Sequence, residues 1–137
     1  MAGKNPLYVG IVQDRNLGGY VYPVVSPAAT VRAKAATATL TTADFGCNLT
    51  NTGSSGTIVL TLPKVADSAE MFFRVQVTVA QIVRLQPVTG EAVYLGGSGV
   101  VTKYLNVAAT IGNYVDIYCD GEQWLVTGYA GVVTKEA

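Results

Sequence analysis

Three carboxylates fall close together near the C-terminus: Asp116, Asp120 and Glu122. A pair of carboxylates is the minimum equipment for glycoside hydrolysis, one as the acid and one as the base or nucleophile. Their spacing argues against that chemistry. Asp116 alternates outward with Tyr114 and Tyr118, while Asp120 and Glu122 flank a turn glycine. Solvated hairpin charges explain them better than an acid kept protonated by burial. The chain has no histidine, which excludes Ser-His-Asp and Cys-His arrangements outright. Cys47 and Cys119 are distant in sequence and are read as small buried hydrophobes, with a disulfide between them as the alternative. Without histidine or a Cys-x-x-Cys spacing, no metal site is expected. Gly96, Gly97, Ser98 and Gly99 lack the lysine of a phosphate-binding loop and read as a surface loop. No catalytic residue and no cofactor are therefore expected, and the chain is read as not an enzyme.

Tyrosine is the other chemistry on offer. Of the eight tyrosines, Tyr8, Tyr20 and Tyr22 lie near the N-terminus, and Tyr114, Tyr118 and Tyr129 lie on or near the last hairpin. Aromatic faces can stack on sugar rings, so a carbohydrate-binding module is one reading. Tyrosine on the outer face of a strand also serves cross-strand packing and subunit contact, and partner surfaces are enriched in it. The interface reading is preferred here.

Bulk properties agree with association. The 137 residues fit one domain able to bury its own core. Nine basic and nine acidic side chains cancel, and charged residues make up only 13%. That balance offers no clustered cations for nucleic acid, and neutral proteins tend to associate. With 50% hydrophobic residues and a mean hydropathy of +0.35, part of the apolar surface is expected to be covered by partners. No apolar run follows Lys4, so a secretory signal is not expected. No stretch approaches the ~18 apolar residues of a membrane helix. Synthesis and folding in a cytoplasm are expected, with no membrane partner.

The elements that must position these side chains are strands. Residues 57–62 alternate, with Ile58, Leu60 and Leu62 on one face. Residues 72–79 place Phe73, Val75, Val77 and Val79 inward and Arg74, Gln76 and Thr78 outward. Val83 and Leu85 continue the pattern up to the breaker at Pro87, and Val115, Ile117 and Cys119 repeat it. Asp120 and Gly121 predict a type I′ hairpin turn, after which Trp124 and Val126 return to the core. Residues 65–71 can form no more than a helical turn. Strands at this spacing predict an all-β fold: a compact β-sandwich, jelly roll or small barrel-like domain preceded by an extended N-terminal arm. The boundary is placed near Ala36, with residues 1–36 as the arm and residues 37–137 as an antiparallel β domain. Residues 7–12 and 19–25 of the arm are strand-like, but Pro23 and Pro27 bar them from the middle of a sheet. The alternative is that this first third supplies edge strands to the same domain.

One ordered set of segments is distinctive. It comprises Asp44, Phe45 and Gly46; the turn from Asn51 to Gly56 followed by Ile58 to Pro63; Val83 to Pro87 with Thr89 and Gly90; and Tyr118 to Val126, including Asp120, Gly121 and Trp124. From about Thr37 to Gly128 the chain resembles a small β module of tailed-bacteriophage virion proteins, found in tail-fibre segments and in short head-decoration (cement) proteins. The motif residues are turn and core positions, so the resemblance implies architecture and a virion setting and brings no catalytic or ligand residue. Fibre proteins carry such modules within much longer chains. Here the module fills nearly the whole sequence, which favours a capsid decoration protein that binds and stabilises the head exterior.

The resemblance implies a location on the capsid surface and two partners, the major capsid protein and the chain itself. A homotrimer at local threefold positions would multiply weak contacts. The arm is expected to attach by adding a strand to an edge on the shell or on a neighbouring subunit, with Leu7, Tyr8, Val9, Ile11, Tyr20 and Tyr22 as its anchors. A tail-fibre or collar component touching the host receptor is the nearest alternative.

Overall fold

The computed structural model describes residues 30–136. The fold is mostly β and holds two sheets. The strands are β1 (Val31–Ala33), β2 (Ala38–Thr39), β3 (Asn48–Thr50), β4 (Ile58–Thr61), β5 (Phe72–Gln76), β6 (Val83–Gln86), β7 (Val93–Tyr94), β8 (Leu105–Val107), β9 (Tyr114–Cys119), β10 (Trp124–Ala130) and β11 (Val133–Lys135). The six-stranded sheet runs β1-β3-β5-β9-β10-β7 and the five-stranded sheet runs β11-β8-β6-β4-β2. From β1 to β6 the chain winds, laying odd strands in one sheet and even strands in the other.

That winding changes the pairing expected from sequence. Successive strands of one sheet enter from the same end, so β1–β3, β3–β5, β2–β4 and β4–β6 are parallel, as is β10–β7. The remaining pairs, β5–β9, β9–β10, β6–β8 and β8–β11, are antiparallel. The domain is therefore mixed, not antiparallel throughout. Period-2 alternation cannot distinguish the two, because it reports which face a side chain takes and not the direction of the neighbour. The placed boundary also shifts. Residues 31–33, assigned to the arm, form β1 and pair in register with β3.

Alternation did locate the core. Phe73, Val75, Val77, Ile58, Leu60, Val115, Ile117 and Trp124 are all buried, and both sheets feed one hydrophobic cluster with Leu49, Leu62, Val83, Leu85, Leu105 and Val107. Burying such side chains contributes roughly 1.5–3 kcal/mol each. Val126 is half-buried and packs against the cluster. Cys47 and Cys119 are free and buried, and burial pushes the Cys119 thiol above its ordinary range. The helical turn materialises as a single 3-10 turn at Val65–Asp67.

Two local corrections have physical causes. The strand expected over 72–79 ends at Gln76: the Val77 amide still donates to the Asn113 carbonyl at 2.8 Å, but the Asn51 side chain takes the amides of Thr78 (2.7 Å) and Val79 (3.0 Å). The last hairpin does turn after Cys119, but it is not type I′. Cys119 pairs with Trp124, leaving a four-residue loop, 120–123, in which Gly121 takes a positive φ of 96° and Asp120 does not. Asp120 instead uses its carboxylate, whose Oδ1 accepts from the amides of Glu122 and Gln123 at 2.8 Å. Those bonds hold its pKa below the ordinary value.

Strand β1 is pinned by a buried charge. Asp44 is 1% exposed; its Oδ2 accepts from the Thr41 amide at 2.9 Å, and its Oδ1 lies 2.8 Å from the Lys34 ammonium and 3.5 Å from Arg32. Burial alone would raise this carboxyl, but Lys34, Thr41 and Arg32 together hold it below the ordinary aspartate value. A depressed folded pKa contributes stability above the unfolded value and loses it as pH falls through the folded one. Asp44→Asn should therefore be less stable than wild type near neutral pH, with the gap closing in acid. Paired urea melts at neutral and acid pH check this; a gap that does not change with pH contradicts it.

Candidate interaction face

Register determines which outward side chains lie side by side. On the outer face of the six-stranded sheet, Phe72 pairs with Tyr118, Tyr118 with Leu125 and Leu125 with Tyr94, so four strands build one apolar and aromatic row. All four side chains are half-buried. The next row runs Asn48, Arg74, Asp116 and Gly128, and the third runs Thr50, Gln76, Tyr114 and Ala130.

Charge on this face is neutralised internally. Arg74 grips Asp116 in a bidentate pair, Nε to Oδ1 at 2.7 Å and Nη2 to Oδ2 at 2.9 Å, and its guanidinium lies 4.0 Å from the centre of the Tyr114 ring. The bond to Asp116 raises the Arg74 pKa despite partial burial. Beside it, Asn48 Nδ2 donates to Gln76 Oε1 at 3.0 Å. Asp116, one of the three carboxylates near the last hairpin, is thus committed to an ion pair, and Asp120 to its turn. A partner meeting this face would find aromatic surface and fixed hydrogen-bonding groups with no net charge.

The five-stranded sheet presents a different exterior. Its outward row is Val59, Arg84, Asn106 and Thr134, beside Thr39, Thr61 and Gln86. Arg84 Nε donates to Asn106 Oδ1 at 3.0 Å. The six-stranded face thus carries Phe72, Tyr94, Tyr114 and Tyr118, whereas on the five-stranded face Arg84 lies 5.1 Å from the ring centre of a single tyrosine, Tyr104; aromatic enrichment is one mark of the core of a protein interface.

The sequence-derived anchors Leu7, Tyr8, Val9, Ile11, Tyr20 and Tyr22 lie outside the described residues. Tyr114 and Tyr118 do lie on the outer face, as their phase requires, whereas Tyr129 pairs with Val115 after a bulge between Val126 and Gly128. Phe72, Leu125 and Tyr94 were not singled out. The first two were discoverable from the outward phase of their strands; Tyr94 reaches the row only through a two-residue parallel pairing that leaves no periodic trace. Among the described residues, no three His, Cys, Asp or Glu side chains group as metal ligands, and no helix is long and apolar enough to cross a membrane. No family model matches this chain, and no curated protein matches it.

Proposed function

We propose that this chain is a structural protein of a tailed-bacteriophage virion: a capsid decoration protein, not an enzyme, that binds the major capsid protein on the head exterior as a homotrimer and stabilises the head. The observation that carries this reading is the ordered motif set in the sequence, extending over most of the chain. Its residues have a common use in the fold. Asp44 pins β1, Asn51 clamps the segment after β5, and Trp124 Nε1 donates to the Pro63 carbonyl at 3.2 Å, tying the last hairpin to the end of β4. These are joints of a β-sandwich, the kind of rigid scaffold that a shell-binding module requires.

The aromatic outer face supports the same reading, since a decoration protein works by contact and needs such a surface. Leu125→Asp would place a charge in the centre of the Phe72–Tyr118–Leu125–Tyr94 row while leaving the inward face of β10 intact. The variant should keep its β circular dichroism and bind undecorated shells at least about tenfold more weakly, as central interface positions do. Wild type should scatter light as a species of about 43 kDa, three times the 14.3 kDa chain. A folded Leu125→Asp protein that binds shells with wild-type affinity would remove this face from the proposal.

A further inference from the structure

Among the described residues, β1 and β2 are edge strands of the two sheets, at the start of the winding. In a parallel ladder, alternate residues bond to one neighbour. The Thr30 carbonyl and the Lys34 amide bond to β3, and the Leu40 amide bonds to β4. By alternation the backbone groups of Val31, Ala33 and Thr39 face away from the sheets. Exposed edges are usually guarded by charge or proline. Here both cations near β1, Arg32 and Lys34, are paired with Asp44, and Val31 is 62% exposed.

The spacing of the winding indicates what fits. Links from the six-stranded to the five-stranded sheet are residues 34–37, 51–57 and 77–82, four to seven residues long. Links back are 40–47, 62–71 and 87–92, six to ten residues long. Ahead of β1 stand two strand-like segments, residues 7–12 and 19–25. The six residues 13–18 between them fit the outward links, and the five residues 26–30 before β1 are one short of the shortest return link. Their order is also correct: the segment nearer β1 would join the five-stranded sheet, and the earlier one the six-stranded sheet. In such a strand Pro23, which lacks an amide hydrogen, would have to fall on the outward phase, and Tyr20, Tyr22 and Val24 would fall on the pairing phase.

We propose that the β1 and β2 edges are a strand-acceptor site whose occupant is the N-terminal segment of the same chain: residues 7–12 add in parallel to β1, and residues 19–25 add in parallel to β2, as the next turn of the winding. This gives Leu7, Tyr8, Val9, Ile11, Tyr20 and Tyr22 an acceptor within the chain in place of one on the shell. It does not depend on the capsid reading.

Amide hydrogen exchange on the full-length chain tests it. The Val31, Ala33 and Thr39 amides should be protected in wild type. Tyr22→Pro should speed exchange at Thr39 about tenfold or more and leave the core amides unchanged. Either Tyr8→Pro or Val9→Pro, whichever falls on the pairing phase, should do the same at Val31 and Ala33. Fast exchange at all three amides in wild type overturns the proposal, as does protection that none of the proline variants changes. Restored protection of isotope-labelled Tyr22→Pro chains on mixing with unlabelled wild type also overturns it, because the segment would then pair between copies.

Discussion

Replacing Trp124 with alanine should cost about 3–5 kcal/mol, one of the two largest effects expected of a single substitution in this domain. The indole is fully buried, packs edge-on to Phe73 with ring centroids 5.8 Å apart and an interplanar angle of 64°, and donates to the Pro63 carbonyl. Removal would leave a cavity between the sheets and a carbonyl without its donor. Urea denaturation measures the loss, with Val126→Ala on the same strand as a control that should cost less, since Val126 is only half-buried. An unchanged midpoint for Trp124→Ala would mean that the register of the last hairpin is wrong.

Asn51→Ala should be comparably damaging although it removes few apolar atoms. Asn51 is fully buried, and its amide bridges four backbone groups: Oδ1 accepts from Thr78 and Val79, while Nδ2 donates to the carbonyls of Val79 (2.8 Å) and Gln81 (3.2 Å). Leaving a buried donor or acceptor unpaired costs about 1–3 kcal/mol each, so a loss of about 3 kcal/mol or more is expected even if water recovers some of the bonds. Asn51→Asp keeps the size and the acceptors but loses both donors and introduces a charge, and it should be no better than alanine. If Asn51→Asp melted like wild type, the clamp would not hold residues 78–81.

These two residues show how far sequence alone reaches. Trp124 was legible because it sits on the inward phase of a strand bounded by a turn, and the same rule located Phe73, Val75, Ile58 and Ile117. Asn51 was read only as a turn residue, since nothing local reveals that its amide serves backbone 27 to 30 positions away. The parallel pairings were equally hidden. They arise from alternation between sheets, a long-range property, and β2 and β7 at two residues each are too short to carry a period. The outer face was half-legible: phase placed Tyr114 and Tyr118, but only the cross-strand register reveals that Phe72, Leu125 and Tyr94 complete the row.

The central claim is that the chain decorates a phage head, and counting copies on intact particles tests it most directly. Occupancy of a site repeated by capsid symmetry requires on the order of hundreds of copies per particle, with density on the outer surface of the shell. Imaging of purified particles that carry this chain, with quantitative protein staining, should show that number in threefold clusters on the head. A handful of copies confined to the tail or collar, or none on the particle at all, would contradict the account.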